Sequence, residues 1–246
     1  KIIKRGAGEM RVLTPGRLTG ELSIQEGAVR VSNTDSYLNG TKTTTVTGAT
    51  SRLYGPAKLY TVSVSDGGTF GITSISGSGA ETQVTGTVTI DATSNLDFVV
   101  DNITPSKLTA KALNLKGKVN VSIDDYTPTD SDEIQLWDCS TFVKSATAQV
   151  VLPQLDGYRF DTTNLFAAKG MLTVLKMSFI LGDANNDGSV NVNDITTVAE
   201  YILGIEPQSW NAEAADVNQD GVINVNDITM IAEKILAAAK AEGLIL

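Results

Sequence analysis

The chain has 246 residues, 19 Lys or Arg against 28 Asp or Glu, and a formal net charge of −9. No basic cluster with interleaved aromatics occurs, which argues against nucleic acid as a partner, and no run of about eighteen apolar residues offers a transmembrane helix. There is no histidine and one cysteine, Cys139, which excludes intrachain disulfides, Ser-His-Asp and Cys-His catalysis and the common zinc sites.

The sequence opens at Lys1 rather than Met, so it reads as a fragment or a processed chain, with any signal peptide outside it. Its charge is uneven. Residues 1–178 carry 17 basic and 17 acidic side chains, whereas residues 179–246 carry two (Lys234, Lys240) against 11. A shift that abrupt predicts a boundary near residue 180, dividing a domain at 1–178 from a module at 179–246.

Residues 1–178 read as successive strands. Apolar residues alternate in Leu22-x-Ile24 and Val29-x-Val31, in Val62-x-Val64 and Phe70-x-Ile72, in Val84-x-Gly86-x-Val88-x-Ile90, and from Leu113 to Ile123. Period-two alternation places every second side chain on one face, and the intervening Thr, Ser, Asn, Lys and Arg make the other face wet. A glycine inside each run predicts a tight turn between two short strands. The expected architecture is mainly β: a parallel β-helix or solenoid, with a β-sandwich as the alternative.

The opening Ile2–Leu13, the stretch Leu18-x-Gly20-x-Leu22-x-Ile24-x-x-Gly27-x-Val29-x-Val31, and the later Tyr126–Trp137, Leu152-Pro153, Asp161–Leu165 and Gly170–Val174 together resemble autotransporter passenger-associated β-strand repeats. The resemblance covers roughly residues 1–177. It implies a right-handed parallel β-helix on a secreted or surface protein. No outer-membrane barrel follows in the sequence, so autotransport itself is not implied.

This region offers little chemistry. Asp124-Asp125 and Asp130/Asp132/Glu133 could pair as carboxylates for glycoside hydrolysis, but their Thr, Pro and Ser neighbours have turn composition, and a solvated loop is expected. Trp137 and the tyrosines could stack on a glycan, although core or edge packing is the simpler expectation. Cys139 reads as a small buried hydrophobe.

The last quarter is more specific. Asp183-Ala-Asn185-Asn-Asp187-Gly188-Ser189-Val-Asn191-Val-Asn-Asp194 recurs further along as Asp216-Val-Asn218-Gln-Asp220-Gly221-Val222-Ile-Asn224-Val-Asn-Asp227. Both match a twelve-residue calcium loop, with side-chain oxygens at positions 1, 3, 5, 9 and 12 and Gly at 6. Calcium is a hard cation that takes six to eight oxygens. Short Asp and Asn arms supply them, Gly188 and Gly221 permit the bend, and Ser189 and Val222 lend only their carbonyls. Asn191 and Asn224 act directly or through water, and Asp194 and Asp227 close the shell. Two ions are expected, and their binding would be part of the folding free energy.

Apolar Val190 and Ile223 are expected to pair the loops through a short strand. Helical spacing follows each loop: Ile195, Val198 and Ile202, then Ile228, Ile231 and Ile235. Asp194 and Asp227 stand where helix N-caps are expected, and Gly204 where the first helix ends. A complete EF-hand is disfavoured, because position 12 is Asp and no helical pattern precedes either loop.

These duplicated loops and helices resemble a type I dockerin over about residues 181–238. The resemblance implies a cohesin partner, engaged near loop positions 10 and 11, here Val192-Asn193 and Val225-Asn226. The pairs are identical, which would allow two docking orientations. The first helix carries no basic residue for such a face, and the second carries Lys234.

The sequence therefore reads as a non-catalytic, secreted or surface bacterial protein. Its β-helical, adhesin-like region carries a calcium-stabilised dockerin-like module that docks on a cohesin-like protein or packs as a cap on the β-domain. A glycan is a further candidate partner. The alternative is the C-terminal part of a dockerin-bearing polysaccharide-degrading enzyme, a glycoside hydrolase or lyase, with catalysis upstream of Lys1.

Overall fold

A computed structural model describes residues 1–13, 17–32, 37–73, 81–102 and 106–241. They form two compact units, Lys1–Leu175 and Lys176–Leu246.

The first unit is mainly β. One large sheet takes strands β1 (Ile2–Lys4), β4 (Leu22–Ile24), β6 (Tyr37–Thr47), β8 (Lys58–Ser65), β10 (Glu81–Ile90), β12 (Lys107–Leu115) and β15 (Trp137–Lys144) in that spatial order, with β3 (Arg17–Leu18) beside β6. A second takes β2 (Glu9–Val12), β5 (Ala28–Val31), β7 (Arg52–Tyr54), β9 (Thr69–Ile72), β11 (Asn95–Val100), β13 (Lys118–Ile123) and β16 (Gln149–Val151). The described pairings within both are parallel. From β4 to β13 the chain visits the two sheets in strict alternation, adding one strand to each in turn.

Parallel register stacks like residues in ranks. Ile24, Val46, Val64, Ile90 and Leu115 face one another along the first sheet, and Val29, Leu53, Phe70, Leu96 and Val119 along the second. All are buried in one hydrophobic cluster. Each such side chain contributes about 1.5–3 kcal/mol by leaving water. The chain takes a longer path from Val64 to its rank partner Ile90 than from Val46 to Val64, which is why no fixed period shows in the sequence.

Turns break three of the four alternating runs where glycine predicts them. Gly86 is the exception. It lies inside the continuous β10, at a shift of register between Val84 and Thr87. A Cβ there would stand 2.5 Å from the Tyr60 carbonyl, so the glycine serves a close backbone approach at a bulge and makes no turn.

The open edge of β15 is covered from within its own unit. Strands β14 (Glu133–Gln135), β17 (Tyr158–Asp161) and β18 (Met171–Lys176) form a small third sheet. The segment between β17 and β18 lies along β15: the Cys139 N–H donates to the Ala168 carbonyl at 2.8 Å and the Trp137 indole N–H to the Ala167 carbonyl at 2.8 Å. Trp137 is fully buried, with ring centroids 6.1 Å from Phe98 and 5.6 Å from Phe142, so it has no face for a sugar. Among the other candidates, Tyr54 is packed under the Arg30 guanidinium, 4.5 Å from its ring centroid, and the Tyr37 side chain lies outside the described residues.

The Asp132 group is a turn. Its carboxylate accepts from the Thr129 N–H and hydroxyl and from the Tyr126 hydroxyl. These bonds hold it below the usual carboxylate range, the wrong direction for a general acid.

The second unit holds helices α1 (Val192–Ile202), α2 (Ala212–Ala215) and α3 (Val225–Ala241) around a small core of Met177, Leu181, Ala184, Val198, Ala215, Val217 and Ile231. Val190 and Ile223 join no strand. They pack at the margin of this core, so the expected strand between the loops gives way to apolar burial. The one-turn α2, which ends at Ala215 immediately before the second loop, corrects the expectation that no helix precedes either loop. α1 closes as expected at Gly204 (φ 76°), whose N–H donates to the Tyr201 carbonyl while that of Ile205 donates to Glu200, a Schellman arrangement. Among the described residues no helix is long and apolar enough to cross a membrane.

Candidate metal and docking site

The two acidic loops follow the same hydrogen-bond pattern, to which the second adds a bond from the Val217 N–H to Asp227 at 2.9 Å. Asp183 accepts the N–H groups of Asp187 and Gly188, each at 2.9 Å, and Asp216 those of Asp220 and Gly221 at 3.1 and 2.9 Å. The Asn185 amide lies 3.0 Å from the Asp187 carboxylate, and Asn218 lies 2.9 Å from Asp220. Asp187 accepts from Ser189, and Asp220 from Val222. Position 12 reaches back to close the ring: Asp194 accepts the N–H groups of Asn185 and Asn191 at 3.1 and 2.8 Å, and Asp227 those of Asn218 and Asn224 at 3.3 and 2.9 Å. Positions 1, 3, 5, 7, 9 and 12 are thereby tied together in each loop.

The backbone explains the tight curl. Position 4 is left-handed in both loops (Asn186 φ 58°, Gln219 φ 57°), as is position 6 (Gly188 φ 91°, Gly221 φ 82°). A Cβ on either glycine would meet nothing within 4 Å. The demand for glycine is therefore conformational and owes nothing to crowding.

Asn191 is the N-cap of α1. Its side-chain oxygen accepts the Asn193 N–H at 2.9 Å, and Asp194 completes a capping box from the third helical position. The same bonds recur at Asn224, Asn226 and Asp227. The cap thus falls at Asn191, ahead of the expected Asp194, because Asn191 has extended backbone (φ −150°) while Asp194 is already helical. Asn191 and Asn224 also turn their amide N–H toward the position 7 carbonyls of Ser189 and Val222, at 3.3 and 3.0 Å.

Electrostatics sharpen the picture. Asp194 and Asp227 are fully buried and Asp183 nearly so, and among the described residues no Lys or Arg lies within ion-pair distance of them. A buried carboxylate without a cation is costly even when backbone N–H groups solvate it. Each Asp183 and Asp194 oxygen accepts one N–H and keeps a lone pair for a further partner, while one Asp227 oxygen accepts two, from Val217 and Asn218. Among the described residues no three His, Cys, Asp or Glu side chains form a metal-binding cluster by themselves; the donor set here is mixed, with amides and a main-chain carbonyl among the carboxylates. These all-oxygen donors fit a hard cation.

Val192 and Asn193 open α1, and Val225 and Asn226 open α3. All four are exposed, the valines at 65% and 64%. Exposure continues along both helices on identical residues: Thr196 and Thr229, then Leu203 and Leu236. Periodicity was enough to find the helices but did not single out this duplicated stripe; aligning the two copies on their loops would have found it. α2 was missed because so short a helix carries no periodicity.

The second unit is thus a duplicated acidic-loop-and-helix module. Residues 181–236 match the family model for the dockerin type I domain. Type I dockerins bind calcium and dock on cohesins. Neither the curated proteins nor the solved structures yield a match to the chain.

Proposed function

We propose that the second unit binds two calcium ions and docks the chain on a cohesin-like protein. We further propose that the β-rich unit is a non-catalytic, adhesin-like parallel β-solenoid, right-handed as its resemblance implies, on a secreted or surface bacterial protein. The observation that carries the metal reading is the buried position 12 carboxylate in both loops, held by backbone N–H groups and, among the described residues, facing no protein cation.

In this reading Asp183, Asn185, Asp187, the Ser189 carbonyl and Asp194 hold one ion. Asp216, Asn218, Asp220, the Val222 carbonyl and Asp227 hold the other. Asn191 and Asn224, at position 9, complete each shell directly or through water. Each calcium supplies the positive charge that lets three carboxylates share one loop.

Docking uses Val192, Asn193, Val225 and Asn226 with the duplicated Thr and Leu that follow. Alternation between two parallel sheets supports the solenoid, and the self-covered edge of β15 favours outward docking over capping. The family match also supports a second reading, in which the chain is the C-terminal part of a polysaccharide-degrading enzyme with catalysis upstream of Lys1.

The test is capture from a bacterial surface extract by the full chain, with calcium and with chelator. A protein retained only in calcium, and lost with Asn193→Asp plus Asn226→Asp, is the expected result. Retention that ignores both chelation and these substitutions would overturn the docking reading.

A further inference from the structure

The two helices present the same stripe, yet the copies differ at one position along it. Position 201 is Tyr in α1, while its counterpart in the second copy is Lys234. Tyr201 stacks on Trp210, centroids 4.5 Å apart and planes 15° from parallel. Beside this stack lies a cavity of about 370 Å³ lined by Tyr201, Gly204, Ile205, Glu206, Pro207 and Trp210. The volume falls at the low end of small-ligand sites. Two aromatic rings, a proline and an isoleucine form its apolar wall. Glu206 is its one charged group.

We propose that this pocket receives a Lys or Arg side chain from a docked protein, and so makes the two docking orientations unequal. The inference rests on the docking reading. Aromatic faces attract a cation through their quadrupole and a nearby carboxylate adds direct attraction. The alkyl stem of a basic side chain suits the Ile205 and Pro207 wall. The surroundings favour a positive guest: residues 179–246 hold two basic side chains, Lys234 and Lys240, against 11 acidic ones. In the middle of α3, Lys234 stands where Tyr201 stands in α1, and it would repel the same guest. A partner with a basic residue placed for this pocket therefore favours engagement through α1, and a partner without one binds either way.

The experiment needs no docking partner, so its failure is distinct from failure of the docking reading. Calcium-loaded, nitrogen-15-labelled full chain is titrated with N-acetyl-arginine amide, with N-acetyl-citrulline amide as the uncharged control and N-acetylglucosamine as the sugar control. The Trp210 indole resonance is the readout, and that of buried Trp137 is the internal reference. The expected result is a saturable Trp210 shift with the arginine amide, an apparent affinity about tenfold weaker with the citrulline amide, and loss of the shift in Tyr201→Lys. Glu206→Gln, at an exposed position that leaves the fold intact, weakens binding in the same direction. An unmoved Trp210, an equal response to citrulline amide, or a stronger response to the sugar overturns the proposal.

Discussion

The Asp194 carboxylate accepts the Asn191 backbone N–H at 2.8 Å, and the same pairing joins Asp227 to Asn224 at 2.9 Å. One side chain therefore closes the acidic loop and fixes the start of the helix that follows. Asp194→Ala is expected to cost about 1 kcal/mol in chelator, where the bonds from the Asn191 and Asn185 N–H groups are lost and the penalty of a buried, unpaired carboxylate is relieved. In saturating calcium the cost grows by the lost linkage, about 2.7 kcal/mol when free calcium is 100 times the dissociation constant. Thermal melts of both forms, with and without chelator, measure the two contributions. Equal costs in the two conditions would remove Asp194 from the ligand set.

Calcium itself is expected to act on one unit. Adding chelator lowers the melting temperature of the helical signal at 222 nm, because binding is coupled to folding of the loops. The β-rich core contains neither loop, and its transition stays in place. Calorimetry with and without chelator separates the two transitions.

Gly170 faces the buried ring of Trp137. A Cβ at residue 170 would stand 2.1 Å from the indole Cε2, and the ring is closed in by Phe98 and Phe142. Gly170→Ala is expected to destabilise the first unit by about 3 kcal/mol or more, the upper end of overpacking costs. Denaturant unfolding followed by Trp fluorescence reads this, and the second unit's calcium affinity is expected to stay unchanged.

Acid is expected to loosen the strands at the β2 end of the second sheet. The Tyr54 hydroxyl and the Arg11 side chain hydrogen-bond to Glu9, with Arg30 adding a third bond, and hold its carboxyl down at about 2, below its ordinary 4.5. A carboxyl lowered on folding stabilises above its unfolded value, and the benefit is lost as pH falls from 4.5 towards 2. The group is exposed, so the effect is small and screened by salt. Protection of the β2 and β5 amides, taken relative to the intrinsic exchange rate at each pH, should fall between those pH values in the native chain and change less with pH in Glu9→Gln.

The helical unit was largely legible in the sequence. A twelve-residue loop states its donors at fixed offsets, and Asp183 and Asp216 each announce the same pattern. The cap was misplaced because Asp and Asn are both good caps, and only backbone geometry shows that Asn191 is extended. Gly86 was misread for a related reason: glycine serves turns and close approaches alike, and the carbonyl it accommodates belongs to Tyr60, on the neighbouring strand β8.

By itself, then, the sequence determined what depends on spacing along a short stretch: alternating faces, paired oxygen loops, the helices behind them and the glycine that ends α1. The tertiary structure decided what depends on residues far apart in the chain. Parallel pairing, the covered edge of β15 and the burial of Trp137 all arise where distant segments meet. Their energies come from removing apolar surface from water and satisfying backbone groups across strands, and a local pattern records which side chains can do this without naming their partners.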